Sequence, residues 1–311
     1  MKTILLIDSG NTRLKVAVVA VGGGGSAGSV DAASAADALA GTAVDWPLAA
    51  TAGGIRAHAI DTHDAQGFAD WLAGLPAAPV GALGTNVAGA ARAAGIEAAL
   101  AQIGCPTRWI LPQAQAYGLT SRYTQPEQLG ADRWASMLGV MTLRTPMSPT
   151  PTAGHTAAER ETPSPFVLAS FGTATTIDTV SADGVFEGGL ILPGPALMKS
   201  ALAAGTANLP LAQGQVTAYP TDTQQAISSG VAAAQAGALL RQWLAGVRRY
   251  GAPPRIYAAG GGWPEVEGEI RHLLSDAAES MGYLPPTITV IENPVLYGLA
   301  RIARAENLGL S

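Results

Sequence analysis

Apolar residues near the start of the chain form a short run and then an alternation, a pattern that predicts a β-hairpin. Residues 4–7 are all apolar, as in a strand covered on both faces. Ser9, Gly10 and Asn11 are turn-forming residue types. From Leu14 to Val18 every second residue is a larger apolar one, which is typical of a returning strand with one buried face. The turn of this hairpin gathers the polar residues Asp8, Asn11, Thr12, Arg13 and Lys15.

The polar turn has two interpretations. It is either a solvated surface hairpin or a backbone cradle for phosphate. In the second case Lys15 supplies positive charge and Asp8 contacts a hydrated metal ion.

Further along the chain, strand patterns alternate with helical patterns. Strands are predicted at 81–85, 108–111, 255–259 and 287–291, and helices at 88–103, 129–144, 196–202 and 296–304. This alternation predicts the α/β class.

The segment Phe166 to Val180, FVLASFGTATTIDTV, repeats the order of the opening: apolar strand, Gly-Thr turn, second strand. Aligning Gly10 with Gly172 puts Thr173 beside Asn11 and Ser170 beside Asp8. We therefore expect a duplicated domain, with a cleft between the copies in which two such turns could hold a polyphosphate. A chance similarity is the alternative.

The chain of 311 residues is long enough for two domains. We predict an N-terminal domain over 1–135 and a C-terminal domain over 136–311, with a Pro/Thr-rich loop at 145–165. Gly23, Gly25 and Gly28 formally match G-x-G-x-x-G, but glycine-rich sequence produces this pattern by chance.

Composition restricts the classes of partner. The net charge is -5 with 18 Lys and Arg, a poor match to nucleic acid. No apolar segment is long enough to cross a bilayer and no export signal is evident, so we expect a cytoplasmic protein without a membrane partner. Cys105 is the single cysteine, which excludes an intrachain disulfide.

Two later glycine clusters and one charged pair complete the candidate chemistry. GGLILPG at 188–194 and the glycines 260–262 come where strands meet helices, so a ligand could lie against backbone amides there. Asp132 and Arg133 lie in the first turn of a predicted helix, where an acidic residue is favourable in any case. Near a phosphate cradle, the carboxylate could deprotonate an acceptor hydroxyl and the arginine could hold an anion.

Taken in order, these motifs resemble those of type III pantothenate kinases, which belong to the acetate and sugar kinase/Hsp70/actin superfamily. D-x-G-N-T-x-x-K covers Asp8 to Lys15, Y-x-x-P-x-x-L-G-A-D-R covers Tyr123 to Arg133, and GTATTID covers Gly172 to Asp178. The resemblance spans nearly the whole chain. It implies two duplicated actin-like (ribonuclease H-like) ATPase domains and transfer of the γ-phosphoryl of ATP to pantothenate, the first step of coenzyme A synthesis.

The resemblance also assigns roles to residues. Asp132 is similar to the family's catalytic base, and Asp8 to a magnesium ligand acting through water. The residues that it implies for ATP and its phosphates are Asp8, Ser9, Gly10, Asn11, Thr12, Arg13, Leu14, Lys15, Gly172, Thr173, Gly260 and Gly261. Those that it implies for pantothenate are Tyr123, Gly130, Ala131, Asp132, Arg133 and Thr223. A homodimer is implied in the same way.

Ser170 departs from the family pattern, which has Asp at this position for a monovalent cation, K⁺ or NH₄⁺. The ligand set of that cation is therefore open. Two other functions also stay open: another small-molecule kinase of the superfamily, and a non-catalytic regulator that retains the fold.

Overall fold

The computed structural model describes residues 2–21, 55–144 and 163–308. The chain divides into two compact units: unit 1 comprises Met1–Thr162 with Asn293–Ser311, and unit 2 comprises Pro163–Glu292. Two sequence predictions lie outside the described residues, namely the glycine pattern within 23–28 and nearly all of the 145–165 loop.

The described ranges contain twelve strands and seven α-helices. The strands are β1 Lys2–Ser9, β2 Arg13–Val21, β3 His58–Asp61, β4 Gly81–Asn86, β5 Thr107–Trp109, β6 Gln115–Ala116, β7 Leu119–Ser121, β8 Phe166–Phe171, β9 Ala174–Val180, β10 Val185–Pro193, β11 Arg255–Ala259 and β12 Ile288–Val290. The helices are α1 Ala65–Ala73, α2 Ala90–Gln102, α3 Ala131–Arg144, α4 Pro195–Gly205, α5 Thr223–Tyr250, α6 Trp263–Ser280 and α7 Pro294–Ala305, and a 3₁₀ helix covers Pro126–Gln128. Within these ranges, no helix is both long and apolar enough to cross a membrane.

The two units contain sheets of the same topology. In unit 1 the strand order is β3-β2-β1-β4-β5, and the five strands of unit 2 follow the order β10-β9-β8-β11-β12. The first strand of each unit is antiparallel to its hairpin partner and parallel to the strand on its other side. The outer pairs also agree, antiparallel on the hairpin side and parallel on the other. This agreement confirms the predicted α/β class and the predicted duplication.

The hairpins at the start of the units differ by one residue in the turn. In the first, the Gly10 amide donates to Arg13 O at 3.1 Å, whereas in the second the Gly172 amide donates to Ala174 O at 3.0 Å. The glycines thus occupy equivalent places, as the alignment of the two sequences predicts, but the second turn is tighter.

Strand β1 is apolar on both faces because both are covered. Leu5 and Ile7 belong to a buried cluster that includes Phe68 and Ile96 from α1 and α2. The alternate residues Ile4 and Leu6 are also buried. Burial of each such side chain stabilises the fold by about 1.5–3 kcal/mol, which explains the continuous apolar run.

Helices α3 and α7 pack with their backbones in close contact. A Cβ atom at Gly139 would overlap Pro294 O, and one at Gly298 would overlap Ala135 O. The C-terminal helix therefore belongs to unit 1, and α3 continues through the predicted boundary at 135/136 without a break. The observed division differs from the predicted one because the chain returns to its first unit after the second is complete.

Helices α5 and α6 cover the sheet of unit 2. Their buried side chains, among them Trp243 and Ile270, pack with Phe171 and Val167 of β8 in one core. Trp243 and Phe171 are fully buried. This core fixes the end of β8, from which the second glycine turn begins.

Candidate active site

The turn between β1 and β2 is held by hydrogen bonds to its carbonyl groups. Thr62 Oγ1 donates to Gly10 O at 2.7 Å, and the Thr62 amide donates to Thr12 O at 3.1 Å. The side chains of Asn11, Thr12 and Arg13 are exposed at the tip. With these carbonyl groups bonded to Thr62, the turn can present polar side chains and amides to an anion.

Two residues of the first motif contribute no accessible side chain. Ser9 and Leu14 are fully buried and pair with each other across the hairpin. They share the face of Leu5 and Ile7, since side chains alternate along a strand. Only backbone atoms of Ser9 and Leu14 are therefore available to a ligand.

Asp8 lies at the end of β1 between two polar neighbours. Lys15 is its cross-strand partner in β2, and Thr85 is its partner in β4. Thr85 Oγ1 donates a hydrogen bond to Asp8 Oδ1 at 3.2 Å. Burial raises the pKa of Asp8 to about 6, against the opposing charge of Lys15 and with a further rise from the nearby Asp132 carboxylate.

The second group of candidate residues surrounds the start of α3. Arg133 is 5% exposed, and its Nη1 donates to the Tyr123 hydroxyl at 3.2 Å. Its guanidinium carbon also lies 5.9 Å from the centre of the Tyr123 ring, within the range of a cation–π contact. The structure thus brings Tyr123 and Arg133 of the predicted acceptor motif into direct contact.

Asp132 is the first acidic residue of α3, and its Oδ1 accepts a hydrogen bond from the Arg133 amide at 2.8 Å. A Cβ atom at Gly130 would press against the same carboxylate oxygen. Burial raises the pKa of Asp132, while the bond from the Arg133 amide and the Arg133 charge oppose the rise. A carboxylate whose pKa is raised toward neutral pH is a stronger proton acceptor than an ordinary one.

The carboxylates of Asp8 and Asp132 are close enough that the charge of Asp132 raises the pKa of Asp8. A cation beside Asp8 would offset both the cost of burying its negative charge and the repulsion between the two carboxylates. Within the described ranges, no three His, Cys, Asp or Glu side chains gather into a metal-binding group. One carboxylate nevertheless fits Mg²⁺, which proteins often bind through one or two carboxylates together with substrate phosphates.

In unit 2, two neighbouring turns approach the Gly172–Thr173 turn closely. The Gly194 amide donates to Thr173 O at 2.9 Å, and a Cβ atom at Gly194 would overlap Gly172 O. The Gly262 amide donates to Phe171 O at 2.9 Å. Glycine is required at 194 because no other residue allows this approach.

The glycines after β11 have different roles. Gly260 has φ +96°, and a Cβ atom there would overlap Phe171 O, so it needs glycine for both reasons. Gly261 is exposed with open space around its Cα. Helix α6 starts directly after Gly262, so this turn presents amides at a helix N-terminus.

Ser170 and Thr223, two further candidates, both lie in unit 2. Ser170 is paired with Thr176 on one side and Ala259 on the other, the positions that Lys15 and Thr85 occupy around Asp8. Thr223 is the exposed first residue of α5, after the capping residue Asp222.

The candidate residues therefore fall into two groups. Unit 1 brings together Asp8, Lys15, Asp132, Arg133 and Tyr123, while unit 2 carries the Gly172–Thr173 turn, the later glycines and Thr223. Sequence reasoning missed Thr62 and Thr85. The only available signal was for Thr85, a polar residue at the end of a predicted strand that could lie parallel to β1.

Tyr123 also borders an open depression of about 450 Å³. Its other lining residues are Arg122, Thr124, Gln125 and Gln128, so its wall is polar. The Tyr123 hydroxyl is thus bonded to Arg133, while the segment 122–128 around Tyr123 borders this polar depression.

Comparison with known proteins identifies the family. The chain matches the family model of type III pantothenate kinases over residues 4–150 and 152–245. It is 51% identical over 300 residues to a type III pantothenate kinase of Bordetella petrii, covering 96% of this chain and 97% of that protein. It is 36% identical over 303 residues to one of Aromatoleum aromaticum, covering 97% and 98%.

Among solved structures, a Campylobacter jejuni protein named for the Baf family of transcriptional activators matches with a TM-score of 0.50 at 16% identity, covering 97% of this chain and 98% of that one. At that identity the likeness concerns the fold alone. The family model and the full-length relatives carry the assignment: this chain belongs to the type III pantothenate kinase family.

Proposed function

We propose that this protein transfers the γ-phosphoryl group of ATP to the primary hydroxyl of pantothenate, giving ADP and 4'-phosphopantothenate. This reaction begins coenzyme A synthesis. The observation that carries the proposal is the group formed by Asp132, Arg133 and Tyr123 beside the Asp8–Lys15 hairpin, in a chain of this family.

Asp132 acts as the general base in this proposal. It accepts the proton of the pantothenate hydroxyl as that oxygen attacks the γ-phosphorus, and the bond to the bridging oxygen of ADP breaks. Phosphoryl transfer depends mainly on positioning and charge stabilisation, so one well-placed carboxylate suffices. The raised pKa of Asp132 favours this role.

Arg133 and Tyr123 hold the acceptor. Pantothenate carries a carboxylate, and a buried guanidinium in contact with a tyrosine hydroxyl is suited to bind such an anion. Gly130, Ala131 and Thr223 are also proposed to bind pantothenate, by the resemblance alone. Gly130 leaves room beside the Asp132 carboxylate, where a side chain would collide.

ATP is proposed to bind through the two glycine turns, with Lys15 supplying charge to its phosphates. Asp8 would hold Mg²⁺ through water, and bound Mg²⁺ neutralises phosphate charge. A monovalent cation, K⁺ or NH₄⁺, is proposed near Ser170. Ser170 offers a neutral oxygen where Asp8 offers a carboxylate in the equivalent hairpin. We therefore expect this cation to bind more weakly than it would with the Asp that the family pattern has at position 170.

A homodimer is part of the proposal. Large apolar side chains between 191 and 219 are exposed in the single chain, including Ile191 at 65%, Leu211 at 58% and Tyr219 at 89%. A second chain that covered these side chains would remove apolar surface from water, which favours association. Net charge -5 and the absence of a membrane-spanning helix among the described residues are compatible with a cytoplasmic enzyme that acts on small molecules.

The proposal is tested by a coupled assay of ADP release with pantothenate and a panel of other alcohols. We expect turnover with pantothenate at least tenfold above that with any other acceptor. Lys15→Ala should mainly raise the KM for ATP, and Tyr123→Ala the KM for pantothenate. Equal rates across the panel would contradict the proposed acceptor, and a reversed kinetic pattern would contradict the placement of the subsites.

A further inference from the structure

A buried glutamine in the middle of α5 contacts both sides of the Gly194 turn. Gln235 is fully buried among apolar neighbours of the same helix, including Val231, Ala236 and Leu239. Polar side chains are seldom buried to this extent unless their hydrogen bonds are made. The position therefore calls for an explanation beyond packing.

The amide group of Gln235 is oriented by its neighbours. Its Nε2 donates to Pro193 O at 2.8 Å and also lies 3.0 Å from Met198 Sδ. Pro193 ends β10 and Met198 lies in the first turn of α4, so one amide holds the residues on either side of Gly194. The reverse orientation of the amide would place Gln235 Oε1 against Pro193 O, and two such oxygens repel each other.

The other half of the same amide is not satisfied. Among the described residues, Gln235 Oε1 is buried without a hydrogen-bond partner. An unsatisfied buried oxygen costs stability, so it offsets part of what the Nε2 hydrogen bond to Pro193 contributes. The directed contacts of this side chain are therefore those that Nε2 makes on either side of Gly194.

The Gln235 amide fixes the Gly194 turn, which contacts the Gly172–Thr173 turn. The Gly194 amide donates to Thr173 O at 2.9 Å, directly beside the residue that Gln235 holds. Together with the bond from Gly262 to Phe171 O, this draws two carbonyl oxygens of the 171–173 turn toward the protein. Carbonyl oxygens that point away from a bound phosphate do not repel its negatively charged oxygens.

We propose that Gln235 is a positioning residue for the nucleotide phosphates, acting through Pro193 and Gly194 on the Gly172–Thr173 turn. The inference rests on the proposed assignment of that turn to ATP. Gln235 touches no substrate itself. A displacement of about 1 Å at a reacting group can lower the rate about 100-fold, so the precision of this turn matters for catalysis.

The test replaces Gln235 by methionine, which has the same length and no amide. We expect Gln235→Met to weaken binding of Mg-ATP about tenfold, as measured by calorimetry without pantothenate, while Tm changes little. Loss of the Nε2 hydrogen bond and removal of the unsatisfied oxygen act on stability in opposite directions. A purely structural role predicts the opposite, a lower Tm with unchanged nucleotide affinity.

Gln242→Met is the matched control. Gln242 lies two turns further along α5 and its Nε2 donates to Thr179 Oγ1 at 3.3 Å, away from the Gly194 turn. We expect its nucleotide affinity to stay within twofold of wild type. If Gln235→Met does not fold, Gln235→Asn, whose amide is too short to reach Pro193, gives the same measurement.

Unchanged Mg-ATP affinity in a folded Gln235 variant would overturn the inference. Because binding is measured without an acceptor, this result is distinct from a failure of the proposed acceptor. In steady-state assays, the KM for ATP should rise while the KM for pantothenate stays constant. A rise in both constants would also contradict a role confined to the nucleotide.

Discussion

Replacing Asp8 by asparagine should stabilise the ligand-free protein while removing the carboxylate that we propose holds Mg²⁺. Asp8 is half-buried, lies near the Asp132 carboxylate and accepts a hydrogen bond from Thr85. Asparagine keeps the shape, and its Oδ1 can still accept that bond. The substitution therefore removes mainly the cost of burying a negative charge.

The magnitude follows from the pKa. A rise from 3.8 to about 6 corresponds to roughly 3 kcal/mol, and partial solvent access reduces this to about 1–3 kcal/mol. The folded protein holds the Asp8 proton to a higher pH than the unfolded chain does. Binding of this proton therefore contributes to the stability of the wild type fully below about pH 4. The contribution is lost as pH rises through about 6.

Urea unfolding of both proteins at pH 4 and pH 8, without nucleotide or Mg²⁺, measures the effect. At each pH the free energy of unfolding of wild type is subtracted from that of Asp8→Asn. This difference should be about 1–3 kcal/mol larger at pH 8 than at pH 4. Asp183→Asn, at an exposed residue in the turn between β9 and β10, is the control and should show no such change. A difference between Asp8→Asn and wild type that is the same at both pH values would refute the reasoning.

Three further predictions concern catalysis, packing and the cation. Asp132→Asn should fold and bind nucleotide but lower kcat by about 10²–10⁴-fold, and near wild-type turnover would contradict its role as base. Gly298→Ala should lower the free energy of unfolding in urea by about 1–3 kcal/mol, because its Cβ atom would overlap Ala135 O, whereas Gly268→Ala in open space on α6 should not. Ser170→Asp should tighten activation by K⁺, measured by titrating KCl against NaCl at constant ionic strength, and an unchanged titration would show that this position does not control the cation.

The opening hairpin could be predicted because independent signals agree there. The apolar run, the turn residues and the alternation all indicate the same two strands, and Asp8 and Lys15 are cross-strand partners in the structure. The second hairpin, at 166–180, could be predicted by its similarity to the first. Local pattern and local structure coincide in both.

Helix α5 shows why other parts could not be predicted. Its buried face includes Ser228, Ala232, Gln235 and Gly246, small or polar residues that hide the helical period. These residues are buried by what packs against them rather than by their own hydrophobicity. A pattern of apolar positions cannot reveal such a face.

Other features depend on contacts between distant parts of the chain. Thr85 meets Asp8 only because β4 lies parallel to β1, and no local pattern specifies that neighbour. The division of the units likewise depends on the return of α7 to α3, where Gly298 contacts Ala135. The roles of Thr223 and Ser170 remain predictions from the resemblance.

Phosphorus NMR of a reaction containing ATP, Mg²⁺ and pantothenate tests the central claim most directly. We predict that wild type produces a phosphomonoester signal in a one-to-one ratio with ADP, and that mass spectrometry identifies this product as phosphorylated pantothenate. Asp132→Asn should form the same product far more slowly. Release of inorganic phosphate in place of the phosphomonoester, or equal product formation by the Asp132→Asn variant, would contradict the account.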